Sequence, residues 1–350
     1  MRKIKLFKPY VSWWAVWYTV KVLRSGQLAE GPQVKLFEQE FMARFNVKNA
    51  LAVNSGTTAL ELAYELAGIG EGDEVITPVL TCTATNLPLV RRNAKIIFAD
   101  VRDDLNVDVD DVKNKITAKT KAIVFVHFGG NNRGLKELLE LAKEKNIILI
   151  EDAAQAVGSD FWGQAEFVAV SLQAIKTLTS GDGGFLICRN QQNYDKAKRL
   201  RWFGYDREKK QAMGDMDLLE AGYKYHMNDI SAAIGRGNLK VIDKIINHRK
   251  KLGKIYAGYK LAPNIWMTSG YTQDYQSLKE IYAKQGIEIG QHHYRNDQYT
   301  VFGGKQKLTK MDAIENKYFF VPMHPGVSMS QAHKIGKIYE AFRSGKTKKE

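Results

Sequence analysis

Lys176 and Asp152 have the types and the setting to do covalent chemistry. Lys176 lies in Ser171-Leu-Gln-Ala-Ile-Lys176-Thr-Leu-Thr-Ser-Gly-Asp-Gly-Gly184, a stretch of small and hydroxylated residues. Asp152 closes the apolar run Asn146-Ile-Ile-Leu-Ile-Glu-Asp152. A strand-end carboxylate followed by a lysine in a Ser/Thr/Gly-rich loop suggests a pyridoxal phosphate (PLP) site. The lysine would form a Schiff base, and the carboxylate would keep the pyridine nitrogen protonated, which makes the ring an electron sink. Read singly, the two residues fit a surface lysine and a helix-capping aspartate just as well.

Neighbouring motifs supply the other parts such a site needs. In Asn54-Ser-Gly-Thr-Thr58, between a strand and a helix, Gly56 lets the backbone approach an anion and the helix N-terminus offers free N–H groups. Thr57 and Thr58 add hydroxyl donors; the plain alternative is an N-cap turn. Gln155, one turn after Asp152, can reach the cofactor's phenolic oxygen, and Ser171 can bind its phosphate. Lys176 needs a lowered pKa to act as nucleophile and acid/base, which partial burial or a nearby cation supplies.

The elements that must hold these residues read as alternating short strands and helices. Apolar residues recur at helical spacing over 34–45. Ala50–Val53, Asp73–Thr77, Lys95–Ala99, Lys121–Val126, Asn146–Ile150 and Phe185–Cys188 read as strands, and Ala59–Leu66 and Lys136–Lys145 as helices. This pattern predicts an α/β fold with a mainly parallel central sheet covered on both faces. Ser55–Thr57, His127 and Asp152 then fall at strand carboxyl ends, where open α/β sheets bind ligands. Past residue 240 the texture changes: a charged helix over 241–260, shorter elements, and a last helix near 330–342. Residues 1–240 are expected to form the large domain and 241–350 a smaller C-terminal α+β domain.

Composition narrows the class. The 350 residues are 44% apolar and 26% charged, ordinary for a globular protein, with a formal net charge of +14. The basic residues are spread along the chain apart from Lys346-Thr-Lys-Lys349, and no helix-turn-helix, RNP or zinc-finger pattern accompanies them, so no nucleic-acid partner is expected. Cys82 and Cys188 are too few for a disulfide framework and lack zinc-site spacing, which implies a reducing cytoplasm and no metal site. No segment approaches the roughly 20 apolar residues of a membrane helix, and no signal peptide is expected. The aromatic segment Val11-Ser-Trp-Trp-Ala-Val-Trp-Tyr18 is expected to be a helix packed on the body of the protein or on a second subunit; lying on a membrane surface is the alternative.

Taken together and in order, the motifs resemble the DegT/DnrJ/StrS family of sugar aminotransferases, fold-type I PLP enzymes. The resemblance rests on Leu28-Ala-Glu-Gly-Pro-Gln-Val34 with Phe37-Glu38, Asn54–Leu60, Glu151–Gln155, Ser171–Gly184, Gly222-Tyr-Lys-Tyr-His-Met-Asn-Asp-Ile-Ser-Ala-Ala233 and Val321-Pro-Met-His-Pro325. It implies that Lys176 binds PLP and shuttles the proton, Asp152 pairs with the pyridine nitrogen and Gln155 meets the ring oxygen. Gly56, Thr57 and Ser171 would hold the phosphate, and Lys224 would reach the phosphate site of the other subunit of a homodimer. The implied reaction moves an amino group from glutamate to a nucleotide-diphosphate keto sugar, a 4-keto-6-deoxy hexose by family resemblance. A related dehydratase branch carries histidine at the position of Lys176, so Lys176 argues for transamination. A non-catalytic binding or regulatory protein on the same fold is the reading from another class.

Some positions depart from the family pattern. Cys82 stands where many relatives place an aromatic residue against the cofactor ring, and is expected to pack there. Lys224 and His226 replace the Asn and Arg often seen in the cross-dimer segment. The stretches 159–167 and 260–280 look shortened. In His292-His-Tyr-Arg-Asn-Asp297, Arg295 is expected to bind a diphosphate or sugar hydroxyls with help from His293 and Tyr294, and His226 is expected to line the sugar site.

Overall fold

Strand-forming and helix-forming segments alternate through the first 240 residues, and the computed structural model folds them into one sheet with helices on both faces. It describes residues 3–346 other than 208, 211–213, 215, 216 and 219; the basic tail beyond Lys346 lies outside them. The strands are β1 (Ala50–Val53), β2 (Glu74–Pro78), β3 (Lys95–Ala99), β4 (Thr120–Val126), β5 (Ile148–Asp152), β6 (Phe167–Ser171) and β7 (Gly184–Cys188), in the order β1-β7-β6-β5-β4-β2-β3. From β6 to β3 every pairing is parallel, whereas β7 runs antiparallel to both β6 and β1. All residues of β1, β2, β6 and β7 are buried, as a sheet covered on both faces requires.

The helices of this part are α1 (Trp13–Ser25), α2 (Pro32–Phe45), α3 (Gly56–Leu66), α4 (Thr83–Arg91), α5 (Val109–Lys115), α6 (Leu135–Lys145), α7 (Gln191–Arg201) and α8 (Asp229–Leu239). Their ends follow local chemistry. α2 begins two residues before its apolar pattern because Pro32 suits a first helical turn, and it stops where Asn46 turns left-handed at φ 52°. β5 starts at Ile148 rather than Asn146 because Asn146, at φ 53°, caps α6.

Beyond residue 241, α9 (Ile242–Gly258) leads to a three-stranded antiparallel sheet of β8 (Ala262–Pro263), β9 (Thr268–Tyr271) and β10 (Tyr318–Val321). With α10 (Tyr275–Lys284), α11 (Thr309–Ile314) and α12 (Met329–Arg343), it completes the described fold. Leu252, Tyr256, Leu278, Tyr282, Phe319 and Ile335 form a buried cluster of their own. Ile242, Ile245, Ile265, Trp266 and Phe320 instead join the core beneath the large sheet. The two parts are therefore packed together through apolar contact.

The aromatic segment forms α1 and packs on α8, with Tyr18 against Arg236 and Lys240, while Trp13 is exposed and Trp14 and Trp17 are partly so. The Ser12 hydroxyl accepts from Ala15 N and donates to Gly237 O at 2.7 Å, while Ser12 N donates to Asn238 Oδ1. The contact with α8 uses the small residues Ala15 and Gly237, so the two helices approach closely and the tryptophans turn outward. A Cβ on Gly237 would lie 2.2 Å from Ala15 N. Gly237→Ala is expected to cost about 1–3 kcal/mol through overpacking, more than the roughly 1 kcal/mol gained in helix propensity. Gly258→Ala, with open space at its Cβ, should be neutral or stabilising. Urea midpoints of the two variants test this.

Candidate active site

The carboxyl ends of β2, β5 and β6 open on one crevice. Asp152 ends β5 and is 5% exposed. Its Oδ2 accepts from the Thr85 hydroxyl at 2.7 Å and its Oδ1 from Ala154 N at 3.1 Å. Thr85 sits in the first turn of α4, within 2.9 Å of the Thr81 hydroxyl, and its carbonyl accepts from the buried Tyr64 hydroxyl. Burial first, and the Asp152 charge second, raise the Tyr64 pKa well above its ordinary value, so Tyr64 stays a neutral donor. Sequence reasoning assigned Thr85 no role; its place in a hydroxyl-rich segment after a strand end was the available signal.

The phosphate cradle is a close approach between α3 and β6. Ser55 caps α3: its hydroxyl accepts from Thr58 N, and the Thr58 hydroxyl accepts from Ser55 N while donating to the Asn54 side chain. Thr58 is thereby spent on the helix end, unlike the donor role expected for it. A Cβ on Gly56 would lie 2.7 Å from Ser171 Cβ and 3.2 Å from Ser171 Oγ. Only glycine lets the first N–H groups of α3 and the Ser171 hydroxyl share one small space, with Thr57 beside them. That donor set, at a helix N-terminus and without a carboxylate in it, fits a phosphate.

Lys176 lies close enough to Asp152 and Cys82 to interact with both. Burial pushes its amine down to about 8, against the opposing pull of Cys82 and Asp152. Its Nζ lies 4.2 Å from the centre of the Trp266 ring, a contact that favours the ammonium and only partly offsets the loss of water. The Trp266 indole N–H also donates to Ile175 O at 3.1 Å, tying the lysine's own loop to the C-terminal part of the chain. Phe7 stacks on Trp266 and meets His292 at a tilt. No sequence motif pointed to Phe7 or Trp266. Cys82 is half-buried at the N-cap of α4.

Gln155 and His293 meet, but not as two ligand-facing side chains. Gln155 Oε1 accepts from Gly129 N at 2.7 Å and its amide nitrogen lies 3.1 Å from His293 Nε2. His293 is buried, and burial, then His292 and Lys176, hold its pKa well below the usual range. Burial likewise takes His292 to about 4. Neutral His293 thus supports Gln155 rather than reaching a sugar.

Arg295 corrects the expectation most clearly. It is 1% exposed, bonds both oxygens of Asp297 at 2.6 and 2.7 Å, and also meets Asp312, Glu315 and the Gln306 carbonyl. Its hydrogen bonds to the Asp297 carboxylate hold its pKa above the ordinary value. A guanidinium so consumed cannot bind a diphosphate; it staples the segment before α11. Tyr294 beside it is 46% exposed.

The cross-dimer candidates lie at the edge of the crevice. Lys224 is exposed, and its carbonyl accepts from the Asn54 side chain next to the phosphate loop. His226 pairs with Val53 and stacks on Trp202, and burial lowers its pKa. His127 belongs to the core: its ring bonds Glu151 at 2.8 Å. Burial raises the Glu151 carboxyl, but His127 and three backbone N–H groups hold it below the ordinary value. Those N–H groups come from residues 163–165, so the short 159–167 connection closes directly on β5. Among the described residues no cluster of three metal-ligating side chains occurs.

Comparison with known proteins agrees with this geometry. The profile of the DegT/DnrJ/EryC1/StrS aminotransferase family matches residues 16–339. GDP-perosamine synthase of Vibrio cholerae is 33% identical over 306 residues, covering 85% of this chain and 78% of that protein. UDP-4-amino-4-deoxy-L-arabinose--oxoglutarate aminotransferase of Shewanella sediminis is 32% identical over 263 residues, 72% of this chain and 68% of that protein. The crystal structure of sugar aminotransferase CalS13 from Micromonospora echinospora superposes with a TM-score of 0.90 at 27% identity, covering 96% of this chain and 99% of that one.

Two outcomes test the site. Arg295→Ala leaves Asp297 buried without its cation and should cost about 3–5 kcal/mol in urea unfolding; a loss confined to substrate KM would contradict the stapling role. For Lys176 the folded pKa of about 8 lies below the ordinary 10.5. The folded chain then binds fewer protons than the unfolded chain between these values, so stability rises with pH across that window. Lys176→Met should be more stable than the parent below pH 8, with the gap in urea midpoint narrowing toward pH 10.5.

Proposed function

The chain belongs to the DegT/DnrJ/EryC1/StrS aminotransferase family, and from that premise we propose that it moves an amino group from glutamate to a nucleotide-linked keto sugar with PLP as cofactor. It is a sugar aminotransferase of the fold-type I PLP class. The observation that carries the cofactor reading is the convergence of Lys176, the Thr85-held carboxylate of Asp152 and the Gly56–Ser171 cradle on one crevice.

When bound, PLP supplies the electron sink that lets an amine and a carbonyl exchange between two carbons. Gly56, Thr57 and Ser171 would hold its phosphate, and Lys224 would add a cation to the phosphate site of the partner subunit in a homodimer. Asp152, oriented by Thr85 and Ala154 N, would keep the ring nitrogen protonated. Gln155, braced by Gly129 and His293, would turn its second N–H to the ring oxygen, and Cys82 would pack on the ring. Lys176 would anchor the cofactor, take the proton from the cofactor-side carbon and return it to the sugar carbon. An amine with a pKa of about 8 keeps a free-base fraction near neutral pH and remains a competent acid.

The substrate reading draws on the relatives. One is named for a GDP sugar and another for a UDP sugar and oxoglutarate, the keto acid that glutamate becomes. A 4-keto-6-deoxy hexose on a nucleotide diphosphate is the substrate class proposed, with His226 and Tyr294 at the sugar side. Residues 1–240 and 241–350 are read as the large and small domains. Free thiols at Cys82 and Cys188 accord with a cytoplasmic setting; among the described residues no helix is long and apolar enough to cross a membrane.

Purified protein mixed with PLP should gain an absorbance band near the visible edge that Lys176→Ala abolishes. With glutamate and a panel of nucleotide keto sugars, mass spectrometry should find an amino sugar and 2-oxoglutarate. A dehydrated product, or no glutamate-dependent turnover with any keto sugar, would sink the proposal.

A further inference from the structure

We propose that α1 docks this enzyme on an anionic lipid surface, lying in the plane of the interface. Three tryptophans and three aliphatic side chains form its outer face: Trp13 is 82% exposed, and Trp14, Val16, Trp17, Val20 and Leu23 are exposed by 40–54%. A contiguous apolar patch of this kind marks an interaction surface. The helix is already ordered by its seat on α8 through Ser12, Ala15, Val22 and Gly237, so docking needs no further folding.

The charge around the patch identifies the occupant. α1 carries two basic side chains, Lys21 and Arg24, and no Asp or Glu. The Lys21 ammonium lies 3.6 Å from the centre of the Trp17 ring, and Lys240 of the α8–α9 junction lies 5.4 Å from that of Trp14. Glu40, beside Tyr18, is taken by Arg236. Tryptophan bodies with ammonium groups at their border match the boundary between acyl chains and anionic headgroups. A helix of 13 residues is too short to span the bilayer, which takes about 20. A two-fold contact between copies of α1 would bring Lys21 and Arg24 of each copy together with no carboxylate on the helix to offset them.

Sedimentation of the full-length, PLP-loaded enzyme with phosphatidylcholine vesicles, with and without phosphatidylglycerol, tests this. The enzyme should bind the anionic vesicles at least about tenfold more tightly than the neutral ones, with a blue shift of tryptophan emission and weakening by salt. W13S/W17S should lose about tenfold or more of that binding while keeping soluble turnover and solution mass. K21E/R24E, which leaves the aromatic rings in place, should lose the preference for anionic lipid. The proposal is overturned if neither vesicle binds at low salt, or if both double variants bind as the parent does. It is equally overturned if W13S/W17S lowers the solution mass in the absence of lipid, which would assign the patch to an interface between copies.

Discussion

Removal of the Lys176 amine from water is the constraint on which the rest of the site depends. A solvated lysine would stay charged near neutral pH and could serve neither as a nucleophile nor as a returning acid. Burial lowers this one to about 8 while Asp152 and Cys82 keep the shift moderate. Trp266, a residue 90 positions later in the chain, lies against the amine, and its indole N–H fixes the lysine's loop. The crevice therefore needs the C-terminal part of the chain docked on the sheet before its chemistry is available.

That docking is a relay of hydrogen bonds as well as apolar contact. Trp266 N donates to Gly129 O, Gly129 N donates to Gln155, and Gln155 meets the buried His293 of the C-terminal part. Arg295, consumed by three carboxylates, stiffens the segment that carries His293. Polar groups that look ligand-directed in isolation are here satisfied by one another, as burial demands. What remains open toward a ligand is the α3 N-terminus, the Ser171 hydroxyl and the crevice between Asp152 and Lys176.

The outer face of the molecule obeys a different balance. The α1–α8 contact is made by alanine and glycine because the backbones run close together, and this forces the large rings of α1 outward. The same packing that orders the helix thus leaves an apolar, cation-bordered patch on the outer face of α1.

Much of the sheet was legible in the sequence because short apolar runs bounded by capping residues have few alternatives; the strand from Lys95 to Ala99 and the place of Asp152 at a strand end follow from pattern alone. Where boundaries shifted, as at Asn146, a single left-handed residue moved them. The sequence by itself determined the α/β class, the strand-end placement of Asp152, the glycine at residue 56 and the family to which the motifs belong, since these depend on local periodicity and turn chemistry; the strand that ends at Ser171 emerged only in the fold. Only the tertiary structure decided that Thr85 orients Asp152, that Trp266 lies against Lys176, that Arg295 is an internal staple and that the tryptophans of α1 are exposed. Each of those depends on partners distant in sequence, and the residue type of an arginine or a tryptophan does not say which neighbours will satisfy or cover it.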